Sequence, residues 1–162
     1  MIFIFEISLL NNWKKEAEKA RKLSITELAK RGHEIERRLQ KKLAAIDSTL
    51  SPWTGTSLGN ASETVLAPTS IEITRIFALT AMTYLHVTVS GTHPELPEIV
   101  GSVSKTVAAL QRLTDPRLLR NLVWPFCISR CLALEKQYTL FRDLFFCGRD
   151  LTINCWDVPR GI

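Results

Sequence analysis

Apolar positions recur along this chain at spacings of three and four, the repeat that lines one face of an α-helix. The first such stripe is Ile25, Leu28, Ile35, Leu39, Leu43 and Ile46, with Lys30, Arg37 and Lys41 projecting from the opposite side. Gly32 falls on the stripe, where it weakens the helix or admits a close neighbour. Ser24 and Glu27 stand at capping-box spacing ahead of it. Thr69 and Glu72 repeat that spacing before a second helix running to about Val89, stopped by Gly91 and Pro94. Its Ile76, Phe77, Leu79, Ala81, Tyr84 and Leu85 cover most of the circumference, which predicts a central, buried helix.

A further helix starts near Pro94 or Pro97 and carries Ile99, Val103, Val107 and Leu110 inward. Asp115 and Pro116 open the next one, in which Pro125 should produce a kink or break. Residues 126–146 read as helix again, and periodicity vanishes beyond Gly148. The β-branched run at 87–89 is short and ends a helical period, so no strand pattern competes. The expected fold is all-α, with antiparallel helix pairs packed as an irregular bundle and short turns between them.

Four segments follow from these patterns. Residues 1–47 form basic amphipathic helices. Residues 48–68, dense in Ser, Thr, Gly and Pro, form a linker or exposed loop with Trp53 as its one heavy apolar residue. Residues 69–147 form the helical core, and 148–162 an irregular tail.

Composition narrows the class. With 162 residues, 46% apolar and 23% charged, the chain has the length and balance of one ordinary globular domain. No apolar run reaches the roughly 20 residues that a spanning helix needs. The opening run to Leu10 lacks a basic leader, contains Glu6 and has no small-residue cleavage site, so it does not read as a secretion signal. The net charge of +5 sits mostly in residues 1–50, which hold 11 Lys/Arg against 7 Asp/Glu. Lys14, Lys15, Lys19, Arg21, Lys22, Arg37, Arg38, Lys41 and Lys42 raise a nucleic-acid reading. Interleaved Glu16, Glu18, Glu27, Glu34 and Glu36 favour a solvated face instead.

Candidate chemistry is thin. The four cysteines, Cys127, Cys131, Cys147 and Cys155, cluster in the last quarter and read as buried free thiols of a reducing compartment. His93-Pro94-Glu95 followed by Cys127 and Cys131 half-matches a zinc deaminase pattern. A phenylalanine separates proline from cysteine, and three residues rather than two separate the cysteines. Cys127 and Cys131 lie one helical turn apart, on what reads as a packing face without further ligands at hand. No nucleophile elbow or phosphate loop occurs, and His33 and His86 belong to no constellation. These residues point to no enzyme and no cofactor held by this chain.

Three stretches carry a resemblance: EITRIFALTAMTYLHV at 72–87, DPRLLRNLVWPFCISRCLALE at 115–135 and FRDLF at 141–145. With LAKRGHEIERRLQKKL at 28–43, they resemble the second type of fungal-specific transcription-factor domain, found downstream of a zinc binuclear cluster. Trp124-Pro125, followed by Cys127 and Cys131, is its most specific part. Arg130 departs from the family's usual glycine, and the likeness stops after Cys147, so the resemblance implies an incomplete domain. It further implies a regulatory region of an RNA polymerase II transcription factor in the nucleus. Zinc and DNA would then be bound only by a separate six-cysteine cluster absent from this chain, with coregulators or self-association as protein partners. In that setting Trp124 and Pro125 are structural, and Leu28, Ile35, Leu39, Leu43 and Ile46 form the partner face. The alternative is a standalone helical interaction module using the same face.

Overall fold

The computed structural model describes residues 2–50, 68–113 and 116–149. Trp53, Asp115, Cys155 and nearly all of the 148–162 tail lie outside them. The described residues form α1 (Ile2–Lys19), α2 (Ile25–Leu50), α3 (Pro68–Ser90), α4 (Pro97–Gln111), a 3₁₀ segment (Pro116–Leu122), α5 (Val123–Cys131) and α6 (Glu135–Arg149). No strand occurs among them. The all-α expectation holds.

The first turn is set by local chemistry. The Lys22 amide donates to the Ala17 carbonyl and the Arg21 amide to that of Glu18, a Schellman closure that puts Arg21 in the left-handed region at φ 54°. Ser24 then caps α2, its hydroxyl accepting from the Glu27 amide at 3.3 Å. The reciprocal half of the expected capping box gives way to a Glu27–Arg31 pair at 2.7 Å. Helix α2 runs on through Ser48 to Leu50, and α3 starts one residue before Thr69 at Pro68, so the interruption is shorter than 48–68. Gly91, at φ 94°, ends α3, its amide donating to the Val87 carbonyl.

Helix α3 is the shared wall of two cores. One side packs Ile76 and Leu79 with Ile99, Val103, Val107 and Leu110 of α4, Leu122 and Phe141. The other packs Ala81, Met82 and Leu85 with Ile7 and Leu10 of α1 and Leu28, Ile35 and Leu39 of α2. Helices on either side of residues 51–67 therefore share one interior. Five consecutive α3 residues, Leu79 to Thr83, are buried, as a helix covered on all sides requires.

Thr80, Thr83 and Thr88 join that interior although they are polar. Each hydroxyl donates to a carbonyl one turn back, at 2.9, 3.4 and 2.9 Å, so none is left unpaired. Ser102 and Thr106 of α4 do the same.

A break accompanies Pro125, as expected, just upstream of it. Pro125 is the third residue of α5, where a missing amide proton costs nothing, and it is buried there. The helix breaks upstream, at the passage from 3₁₀ to α geometry. A second break interrupts residues 126–146 at Leu132–Leu134. There Gln137 reaches back to accept the Leu134 amide at 3.1 Å and starts α6.

Candidate functional site: the Trp124 junction and the face of α1

Trp124 and its neighbours fasten three elements together. The indole lies parallel to the Phe77 ring, centroids 6.1 Å apart, and meets Tyr84 edge-on at 6.2 Å. Phe77 and Tyr84 are seven residues apart on α3 and so present one face, into which Trp124 fits. Offset stacking and edge-to-face contact are the favoured geometries for aromatic rings. Phe126, two residues on, meets Phe141 of α6 edge-on at 5.3 Å. Trp124 thus ties α5 to α3, and Phe126 ties it to α6.

The cysteines differ from expectation. Cys127 and Cys131 are both exposed, so they are not core thiols. No group of three or more His, Cys, Asp or Glu suited to a metal occurs among the described residues. His93 and Glu95 instead line an open cleft of about 600 Å³ with Pro94, Ala133, Leu134, Glu135 and Tyr138. The deaminase-like spacing therefore does not bring His93 onto the cysteine face.

His86 bridges three helices. Its Nδ1 lies 3.1 Å from the Glu98 carbonyl on α4 and its Nε2 3.6 Å from Glu36 on α2. His33 is exposed, 3.7 Å from the other oxygen of Glu36. The Glu98 carboxyl is held below its ordinary range by its own backbone amide, then by the Ser90 hydroxyl and by charge on His86.

The stripe read as a partner face is covered from within the chain. Leu28, Ile35 and Leu39 are buried against α1 and α3, Leu43 packs partly against both cores, and Ile46 is half-buried. Helical period identifies an apolar face but not its occupant, and here the occupants are α1 and α3. The surrounding charges are largely paired. Arg38 grips Glu6 with two nitrogens at 3.1 and 2.8 Å, Arg37 pairs with Glu34, and Lys19 with Glu16. The Arg31 guanidinium lies 4.3 Å from the centre of the Trp13 ring. Lys14 reaches across to the Thr88 carbonyl at 2.9 Å, placing positive charge at the C-terminal end of α3.

Among the described residues, α1 carries exposed apolar side chains on one face. Ile2, Phe5 and Leu9 are 74%, 65% and 51% exposed, whereas Ile7 and Leu10 of the same helix are buried. Their spacing of three and four is visible in the sequence, within the opening part of the amphipathic helices expected over residues 1–47.

The helical packing joins residues 28–43, 72–87, 116–135 and 141–145 in one structure. The fungal specific transcription factor domain matches residues 1–147. The chain belongs to that family. It is 36% identical, across 99% of its length, to a trichothecene biosynthesis transcription regulator of Trichoderma arundinaceum, of which the match covers 34%. It is 34% identical over 89% of its length to the transcription factor dibT of Pestalotiopsis microspora, covering 24% of that protein. The ustiloxin B cluster transcription factor of Aspergillus flavus is 32% identical over 96% of the chain, with 28% of its own length covered. The chain thus spans about a quarter to a third of these curated relatives. No solved structure matches. No helix among the described residues is long and apolar enough to cross a membrane.

Proposed function

We propose that this chain is the regulatory, non-DNA-reading region of a fungal RNA polymerase II transcription factor of the zinc-cluster type, acting in the nucleus. The observation that carries the reading is the family match over residues 1–147, which takes in both cores and the Trp124 junction. Relatives named as regulators of trichothecene biosynthesis and of the ustiloxin B cluster support control of a biosynthetic pathway's genes. In this reading DNA is bound by a zinc cluster outside residues 1–162, which holds the zinc. The exposed Cys127 and Cys131 hold none, and the chain itself works through protein contacts.

The test is a fusion of residues 1–162 to a heterologous DNA-binding domain in a fungal host carrying the matching reporter. A change in reporter transcription that is lost with a core-disrupting variant such as Leu39→Asp is expected. Nuclear enrichment of the fusion's parent protein is expected alongside it. An unaltered reporter with a folded, expressed fusion would overturn the reading. Metal analysis of the purified chain should return no bound zinc; one zinc per chain would reassign Cys127 and Cys131.

A further inference from the structure

We infer that Ser24 is a phosphorylation site for a kinase that selects arginine and lysine ahead of its serine. The segment around it reads Arg21-Lys22-Leu23-Ser24-Ile25, with cations three and two places before the hydroxyl and an apolar residue directly after it. A kinase whose peptide groove carries carboxylates at the first two of those positions and an apolar pocket at the last selects such a segment by charge and burial together.

The fold leaves this segment open to such a groove. Arg21, Lys22 and Ser24 are exposed, and the Ile25 side chain is 78% exposed, so lifting it into a pocket takes nothing from the core. Among the described residues neither Arg21 nor Lys22 has an ion-pair partner, whereas Lys19, Arg31, Arg37 and Arg38 are held by Glu16, Glu27, Glu34 and Glu6. A groove takes its substrate extended, so residues 21–25 must leave the α1–α2 turn. That opening stops short of the core, because Leu23 is only half-buried and Leu28 is the first buried residue of α2. The hydrogen bonds given up are those of the turn and of α2's first turn, the Ser24 cap among them. Arg21 leaves its left-handed conformation at the same time, which favours the opening.

The step is phosphoryl transfer from ATP. The Ser24 Oγ forms a bond to the γ-phosphorus, the bond from that phosphorus to the ADP oxygen breaks, and the hydroxyl proton passes to the kinase's catalytic carboxylate. Residues 14–24 hold five cations against two carboxylates, and the phosphate's nearly two negative charges bring that net +3 to about +1. Once the segment closes again, phosphate oxygens accept from the first amides of α2 as the hydroxyl did, at the helix end that favours negative charge. The modification therefore changes the charge of the turn and keeps the fold.

The test incubates the whole folded chain with ATP and the catalytic subunit of a serine kinase that requires arginine three places before its serine. The product is mapped by mass spectrometry. One phosphate per chain, on Ser24, is expected, with circular dichroism unchanged. Ser24→Ala should abolish the label. Arg21→Gln keeps the serine and its cap and should lower kcat/KM by at least about tenfold. A kinase that selects acidic residues should leave the chain unlabelled. Three results would each overturn the proposal: label on another residue with Ser24 untouched, an Arg21→Gln rate equal to the parent's, or labelling of an isolated 18–28 peptide but not of the folded chain.

Discussion

Gly32 of α2 faces Val89 of α3 so closely that a Cβ at position 32 would stand 2.6 Å from the Val89 Cγ2 methyl. That approach is nearer than packed carbon atoms tolerate, and valine's short branched side chain has little room to swing aside. Gly32→Ala should therefore destabilise the chain by about 1–2 kcal/mol, even though alanine favours helix by up to about 1 kcal/mol. Adding Val89→Ala to that variant should restore most of the loss. Urea melts of the two single variants and the double variant check it. Simple additivity would mean that the two residues do not meet.

Arg21 supports a second expectation. Its φ of 54° is a conformation that costs an L side chain roughly 1 kcal/mol and costs glycine little. Arg21→Gly should raise stability by about 0.5–1 kcal/mol, and Arg21→Val should lower it by more than that. A glycine variant no more stable than the parent in thermal melts would show that the α1–α2 turn is not strained there.

The Trp124 junction predicts an ordering rather than one value. Trp124→Ala removes the ring that contacts both Phe77 and Tyr84 and should cost about 3 kcal/mol. Trp124→Phe retains a stacking ring and should cost less than half of that. Pro125→Ala should cost under about 1 kcal/mol, because position three of α5 needs no amide donor and tolerates one. Denaturant midpoints with matched slopes report all three. A Pro125 variant as damaging as Trp124→Ala would mean that the proline ring itself sets the break between the 3₁₀ segment and α5.

These comparisons locate what was legible in the sequence. The α2, α3 and α4 faces could be read because burial on one helix leaves its period in that helix alone. Ser24 could be read because a cap is local. The occupant of the Leu28–Leu39 face could not, since α1 and α3 reach it only through the fold. The buried threonines of α3 escaped for another reason: each satisfies its own hydroxyl one turn back, so it packs like valine while counting as polar. The turn at Leu132–Leu134 contains neither glycine nor proline and left no local mark. The exposure of Cys127 and Cys131 could not be read either, because an apolar helical stretch does not say which of its positions the fold covers.

Acid should weaken the α3–α4 turn through Glu98. Its carboxyl is held below the ordinary carboxylate range by its own amide, the Ser90 hydroxyl and His86, so the folded chain binds its proton less readily than the unfolded one. The associated stability is present above the unfolded value, near 4.5, and is lost as pH falls through the lower folded value. Glu27 beside Arg31 and Glu34 beside Arg37 are depressed in the same direction and add to the slope. All three are solvent-facing, so the effect of each is small and salt-sensitive. Glu98→Gln should melt below the parent at pH 6 and approach it as the pH drops below 4. A gap between the two melting temperatures that stays constant over that range would mean that the Glu98 contacts act through shape rather than charge.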